Sequence, residues 1–251
     1  MKHCSRGGDR TEQHHQKTHD EIGRLLTELA GRSKRRGRAL RRMAVRRLTI
    51  AMSHVLKRIF DILFSLTALI VLSPVFLLLA AAVKLTSPGP VIFMQIRVGR
   101  FGRHFRFYKF RSMHHDADAL KIQLMKRHRT AGNVTFKLKD DPRLTRIGRF
   151  IRRTSLDELP QFFNVLFGDM SLVGPRPPLP DEVRQYTLED RKRLHVKPGL
   201  TCLWQIRGRS DIPFARQVQL DKEYIRFRSL RQDLLILFRT VPAILTGRGA
   251  Y

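Results

Sequence analysis

Ile62-Leu-Phe-Ser-Leu-Thr-Ala-Leu-Ile-Val-Leu-Ser-Pro-Val-Phe-Leu-Leu-Leu-Ala-Ala-Ala-Val83 is a run of 22 uncharged residues with a proline near its middle. As a straight helix it would be roughly 33 Å long, enough to cross a hydrocarbon core of about 30 Å. Ser73-Pro74 argues against the straight form, because a mid-helix proline removes a backbone hydrogen bond and its ring clashes with the preceding turn. The flanks argue the same way. Lys57 and Arg58 precede the run, and Lys84, Arg97, Arg100 and Arg103 follow it, whereas a span would put one basic flank on the side where such residues are depleted. A helix broken at Pro74 that dips into a bilayer and returns to the same face satisfies both flanks. The Ser73 hydroxyl and local packing then meet the freed carbonyls. Buried core helices of this apolar length are uncommon. A signal peptide would not begin after some sixty residues, even though Ala80-Ala81-Ala82 resembles a cleavage site.

The chain as a whole is strongly basic. Its 49 Lys and Arg against 21 Asp and Glu give a formal charge of +28 over 251 residues, which calls for an anionic partner: nucleic acid, an anionic leaflet or phosphorylated small molecules. Residues 1–53 read as a basic, disordered tail, with a short helix over Asp20 to Ala30. Its block from Arg32 to Arg47 suits an anionic lipid surface, where each Lys or Arg contributes on the order of 1 kcal/mol. His3, His14, His15 and His19 match no metal-site spacing. Cys4 and Cys202 cannot build a disulfide framework, which fits a reducing compartment.

Residues 54–86 then form the re-entrant membrane helix, 87–229 a catalytic domain and 230–251 a C-terminal interfacial helix. After the turn Ser87-Pro88-Gly89-Pro90, Val91–Met94 and Phe105–Phe110 read as strands of a hairpin with Gly99 and Gly102 between them. Over Arg143–Arg153, Leu144, Ile147 and Ile151 share one face and most arginines lie elsewhere, the pattern of an interfacial amphipathic helix. Residues 181–195 and 213–229 read as polar helices. Leu230–Leu245 reads as a second interfacial element, with Arg231, Arg239 and Arg248 able to reach phosphates. The fold class is therefore α+β, mostly helical and monotopic.

Thr154-Ser-Leu-Asp-Glu-Leu-Pro160 carries the chemistry. Asp157 and Glu158 would point about 100° apart on a helix and can flank a small site. Capping is the plainer explanation. With Ser155 as N-cap, Pro160 falls where its ring clashes with the Leu156 carbonyl; with Asp157 as N-cap it falls in the tolerated first turn. A helix start would itself favour an anionic substrate. Arg152 and Arg153 adjoin the acids, and a guanidinium fork matches phosphate oxygens. Val173-Gly-Pro-Arg-Pro177 stiffens the backbone on both sides of Arg176 and presents one guanidinium at low entropic cost. Trp204, the only tryptophan, is expected in the core or as an interfacial anchor.

Together these residues resemble the bacterial sugar transferases, the monotopic polyprenyl-phosphate phosphoglycosyltransferases. The resemblance covers most of residues 54 to 240. It runs through Lys57-Arg-Ile-Phe-Asp61, Ser73-Pro74, Tyr108-Lys-Phe-Arg-Ser-Met113, Asp141-Pro-Arg-Leu-Thr145 and Ser155-Leu-Asp-Glu-Leu-Pro-Gln161. It continues through Asn164-Val-Leu, Gly168-Asp-Met-Ser-Leu-Val-Gly-Pro-Arg-Pro177, Lys197-Pro-Gly-Leu-Thr201, Trp204-Gln205, Gly208-Arg209 and Asp221-x-x-Tyr224. The resemblance implies transfer of a sugar-1-phosphate from a UDP-sugar to a polyprenyl (undecaprenyl) phosphate through a phosphosugar on Asp157, with release of UMP. It implies that Glu158 holds Mg²⁺, that Lys109, Arg152 and Arg176 contact phosphates, that Asp221 supports the site and that Ser73-Pro74 is the family's helix break. It places the enzyme on the cytoplasmic face of the bacterial inner membrane, in exopolysaccharide synthesis, and allows a homodimer. The basic tail lies outside the family core, and the four-helix module of longer members has no counterpart in these 251 residues. The rival reading is a basic nucleic-acid-binding protein, suggested by the charge and by cations alternating with aromatics in Phe105-Arg-Phe-Tyr-Lys-Phe110. No nucleic-acid motif accompanies that stretch, and the apolar run would have no role there.

Overall fold

The structure, a computed structural model, describes residues 51–114 and 141–246 with isolated positions within 41–49 and at 117 and 120. It divides into two compact units, Met1–Val55 and Leu56–Tyr251. In the first unit Arg41, Met43, Val45, Leu48 and Thr49 are helical, as are residues 51–55. The histidine cluster, the helix expected over Asp20 to Ala30, most of the basic block and Arg248 lie outside the described residues.

Helix α1, Ala51–Val71, and helix α2, Ser73–Thr86, meet at a bend of 62°. Helix α1 thus begins upstream of the boundary expected at residue 54, as no glycine or proline interrupts the chain between Met43 and Leu72. Pro74 lies in the first turn of α2, where its missing N–H is tolerated. The Ser73 hydroxyl donates to the Ile70 carbonyl at 2.8 Å, one of the carbonyls that the proline frees. Among the described residues no single helix is long and apolar enough to cross a membrane, while this bent pair passes by length and composition.

On α1 only a narrow stripe faces the protein: Asp61 and Ser65 are buried, and Ala68, Leu69 and Leu72 are partly so. Leu63, Ile70 and Val71 on α1, and Leu77 and Leu78 on α2, are all at least 59% exposed. A helix apolar all round with one stripe covered needs a second apolar environment.

Both ends of the pair are fastened to the same body. Arg58 donates to the Val165 and Leu166 carbonyls at 2.6 and 2.8 Å, Lys57 pairs with Asp233 at 2.5 Å, and Asp61 accepts from the Leu172 N–H at 3.1 Å. At the far end Arg111 donates to the Ser87 carbonyl at 2.6 Å. Most of the basic flanks that argued for a helix returning to one face are held by the protein itself. Lys57, Arg58 and Arg97 are engaged by protein groups, and Lys84 reaches the Gly89 carbonyl. Arg100, over the Phe101 ring at 4.5 Å, and Arg103 are exposed.

The hairpin forms as expected but is longer. Strands β1, Ile92–Val98, and β2, His104–Phe110, pair antiparallel with Ile92 opposite Phe110 and Val98 opposite His104. The expected β1 stopped at Met94 because Gln95-Ile-Arg97 reads as polar. Arg97 instead turns inward, over the Phe107 ring at 5.3 Å. Phe107 and Phe110 are buried, so those rings serve the core and are not presented for stacking on bases.

Helix α3, Arg146–Arg153, begins with Thr145 accepting from the Gly148 N–H at 2.8 Å. Its apolar face is not interfacial: Ile151 is wholly buried and packs with Leu79, Val83 and Phe110, and Ile147 joins them. Helix α4, Gln161–Phe167, ends at Gly168 in the left-handed region. The short strands β3, Ser171–Val173, and β4, Gly199–Thr201, pair in parallel, a contact between distant segments that local pattern does not signal. Helices α5, Pro180–Arg184, and α6, Leu188–Arg191, with α7, Phe214–Phe227, and α8, Leu230–Thr246, complete the unit. The core gathers Phe162, Val165, Met170, Leu172, Trp204 and Ile236, which settles Trp204 as a packing residue.

Candidate active site

The acid pair sits on a tight turn between two helices. After α3, Ser155 adopts a left-handed conformation (φ 56°), Leu156–Glu158 make one 3₁₀ turn, and Pro160 occupies the N-cap of α4. Asp157 therefore does not cap α4, contrary to the plainer sequence expectation: the turn ends three residues before α4 starts. A left-handed serine costs on the order of 1–3 kcal/mol, and such strain tends to persist where the surroundings require it.

Lys109 on β2 faces both acids, with Nζ 2.7 Å from Glu158 Oε1 and 3.5 Å from Asp157 Oδ2. Asp157 is buried, and Glu158 keeps 26% of its side chain exposed. Burial raises the Asp157 carboxyl above the ordinary range; Lys109 and Arg152 oppose that rise and Glu158 adds to it. Burial pushes Glu158 the same way, but Lys109, Arg176 and Arg209 outweigh it and hold that carboxyl below its usual value. Two adjacent acids are thus made different: one desolvated, the other held ionised.

Arg176 is presented by a rigid loop. Gly174 donates to the Thr201 carbonyl at 3.0 Å, Gly199 to the Pro175 carbonyl at 2.9 Å and Val98 to the Pro178 carbonyl at 3.0 Å. Arg97 clamps the Pro177 carbonyl at 3.0 Å. Burial, helped by Arg176, lowers the Arg97 guanidinium to about 10, still cationic at neutral pH. Gly174 and Gly199 approach so closely that a Cβ on Gly199 would lie 2.0 Å from the Gly174 nitrogen. The turn residues of two separated motifs are therefore parts of one construction.

Of the residues expected at the site, Asp157, Glu158, Lys109, Arg152 and Arg176 come together electrostatically. Asp221 does not join them. It is buried against Arg193 at 2.6 Å, and burial outweighs that arginine to push its carboxyl up to about 6. Ser73 and Pro74 shape the helix break, as expected. Arg209, which the sequence shows only as part of Gly208-Arg209 and to which it assigns no role, also acts on the site. The structure turns its charge toward both acids from a left-handed backbone (φ 52°). A bulky cation directly after glycine in a turn was the available signal.

The site holds four cations, Lys109, Arg152, Arg176 and Arg209, around two carboxylates, a surplus suited to a diphosphate. No cluster of three or more His, Cys, Asp or Glu exists among the described residues. The acid pair supplies one or two carboxylates, the number that Mg²⁺ takes together with substrate phosphates. An apolar cavity of about 520 Å³ opens beside Glu158 and Arg209.

Residues 52–247 match the model of the bacterial sugar transferase family. The chain is 49% identical over 200 residues to the galactosyl transferase CpsE of Streptococcus agalactiae, covering 79% of this chain and 44% of that protein. It is 43% identical over 198 residues to the exopolysaccharide production protein ExoY of Sinorhizobium fredii, covering 78% and 88% of the two chains. It is also 43% identical over 207 residues to the UDP-glucose:undecaprenyl-phosphate glucose-1-phosphate transferase of Escherichia coli, covering 79% and 42%. The chain thus spans less than half of two of these relatives and most of the third.

Proposed function

Because this chain belongs to the bacterial sugar transferase family, we propose that it moves a sugar-1-phosphate from a UDP-sugar to a polyprenyl phosphate, undecaprenyl phosphate in bacteria. The observation that carries this reading is the Asp157–Glu158 turn, with Lys109 Nζ 3.5 and 2.7 Å from the two acids and the charges of Arg152, Arg176 and Arg209 acting on them. The diphosphate enters the cationic ring, where fixed guanidinium groups offset its charge without reorganising. The Asp157 carboxylate attacks the β-phosphorus; an oxygen–phosphorus bond forms and the bond to the bridging oxygen breaks. UMP leaves with that electron pair. An acyl phosphate is a high-energy ester, so the acceptor's phosphate oxygen can displace the sugar phosphate and return the carboxylate. Glu158 would hold Mg²⁺, which neutralises diphosphate charge. Lys109 keeps Glu158 ionised beforehand, and Arg97 holds the loop that aims Arg176.

The bent pair α1–α2 lies in the cytoplasmic leaflet as a re-entrant hairpin. Its support is that both ends are fastened to one body while the flanks of the bend expose large apolar side chains. The reaction is tested by exchange without acceptor. Enzyme, UDP-sugar and labelled UMP should yield labelled UDP-sugar, and Asp157→Asn should not. Exchange at wild-type rate in Asp157→Asn would overturn the reading.

A further inference from the structure

We propose that the apolar cavity between α1 and α8 is the acceptor's chain site, taking the isoprene units next to the phosphate and leading that phosphate to Arg209 beside the acid pair. The inference rests on the polyprenyl acceptor proposed above. The cavity's volume of about 520 Å³ falls within the roughly 300–1,000 Å³ usual for small-molecule sites. Its walls are apolar: Phe60 and Phe64 from α1, Leu200 from β4, and Leu237, Val241 and Ile244 from α8. The only charged groups in its lining are Glu158 and Arg209, with Ser155 and Gln205 also present, while the Thr201 and Thr240 hydroxyls that line it are paired with each other at 2.8 Å. A ligand that fits has one anionic end and a long hydrocarbon body, the chemistry of a prenyl phosphate.

Three observations commit the cavity to that occupant. The mouth opens on Glu158, next in sequence to the nucleophile, so a phosphate there faces the phosphorus it must attack. The Arg209 guanidinium has no hydrogen-bond or ion-pair partner among the described residues, and its left-handed backbone is pinned by its N–H donating to the Trp204 carbonyl at 3.0 Å. At the other rim, Phe238 and Val241 are 74% and 58% exposed, and Leu245 beyond them is 81% exposed. A chain longer than the cavity therefore leaves along an apolar face shared with the exposed sides of α1. The wall is also fixed in place, because Lys57 on α1 pairs with Asp233 on α8, which accepts from Tyr224 at 2.8 Å. In the step served by this site, the acceptor phosphate oxygen bonds to the adduct phosphorus. The phosphorus–Asp157 oxygen bond breaks and its electron pair returns to the carboxylate.

The experiment separates the two claims. The wild-type enzyme is first charged with labelled UDP-sugar alone; absence of a covalent adduct would fail the reaction and not the site. The adduct is then discharged with undecaprenyl phosphate or with methyl phosphate, which offers the same phosphate nucleophile with no isoprene unit to enter the cavity. Val241→Trp fills the cavity from an exposed position. Its KM for undecaprenyl phosphate, with discharge counted per adduct formed, should rise at least tenfold while its KM for methyl phosphate stays within twofold of wild type. Equal KM values for undecaprenyl phosphate in the two enzymes would overturn the proposal. A second measurement needs no variant. A prenyl phosphate bearing a diazirine on its second isoprene unit should label the peptide spanning residues 234–244 of the wild-type enzyme. Labelling confined to residues 73–86 would also overturn it.

Discussion

At the residue scale, the two neighbouring acids are separated in role by their surroundings. Asp157 is desolvated and Glu158 is gripped by Lys109; one suits attack and the other suits a cation. Glu158→Gln should therefore lower activity mainly through a raised Mg²⁺ requirement, read as a shifted metal titration. Excess Mg²⁺ should recover part of the loss, whereas no metal concentration should recover Asp157→Asn. Away from the site, Asp221 makes a pH prediction. Its carboxyl is pushed up to about 6 by burial, so the folded state binds this proton more tightly than the unfolded chain does. Stability from that source is full below about pH 4 and is lost as pH rises through 6, about 3 kcal/mol in all. Urea unfolding in detergent between pH 4 and 7 should show that fall, and Asp221→Asn should lack it. Asp157, Glu158, Arg152 and Arg176 stood out because charged residues lay beside turn chemistry in the sequence, whereas Lys109, inside a strand, came only through the family resemblance. Arg209 did not stand out, since its orientation comes from a left-handed backbone that only the folded turn defines.

At the scale of elements, what was legible followed local periodicity. The break at Pro74, the hairpin and α7 follow from a proline, two glycines and a helical repeat. The β3–β4 pair was hidden because it joins segments 28 residues apart through backbone contacts. The amphipathic face of α3 was read correctly as apolar but assigned to lipid, when it covers Leu79 and Phe110. Periodicity reports that a face is buried and is silent on what buries it. The β3–β4 pair has its own test. Gly199→Ala puts a methyl group against the Gly174 backbone, which cannot move like a side-chain tip. The substitution should cost about 1–3 kcal/mol in denaturant unfolding and lower kcat by misplacing Arg176; an unchanged midpoint would contradict the packing described. The tie between α1 and α8 is tested by Lys57→Met, which strands the buried Asp233 and should destabilise by about 3–5 kcal/mol.

At the scale of the whole molecule, the second unit joins a cationic, oxygen-binding turn to an apolar hairpin and groove. On the proposed reading, a water-soluble nucleotide sugar and a lipid phosphate meet at this one pair of carboxylates. Topology is checked by placing single cysteines at Ile59 and Leu85, both exposed at opposite ends of the bent pair, in a Cys4→Ser background. In intact cells neither should react with a membrane-impermeant thiol reagent, and both should react after permeabilisation; reaction of one alone before permeabilisation would mean a span. The central claim is that Asp157 carries the sugar phosphate between donor and acceptor. Intact-protein mass spectrometry of enzyme incubated with UDP-sugar and Mg²⁺, without acceptor, tests it most directly. The account predicts an added mass of one sugar phosphate that maps to Asp157, disappears on addition of undecaprenyl phosphate and never forms in Asp157→Asn. Turnover by the wild-type enzyme with no such adduct, or an adduct that persists in Asp157→Asn, would contradict it.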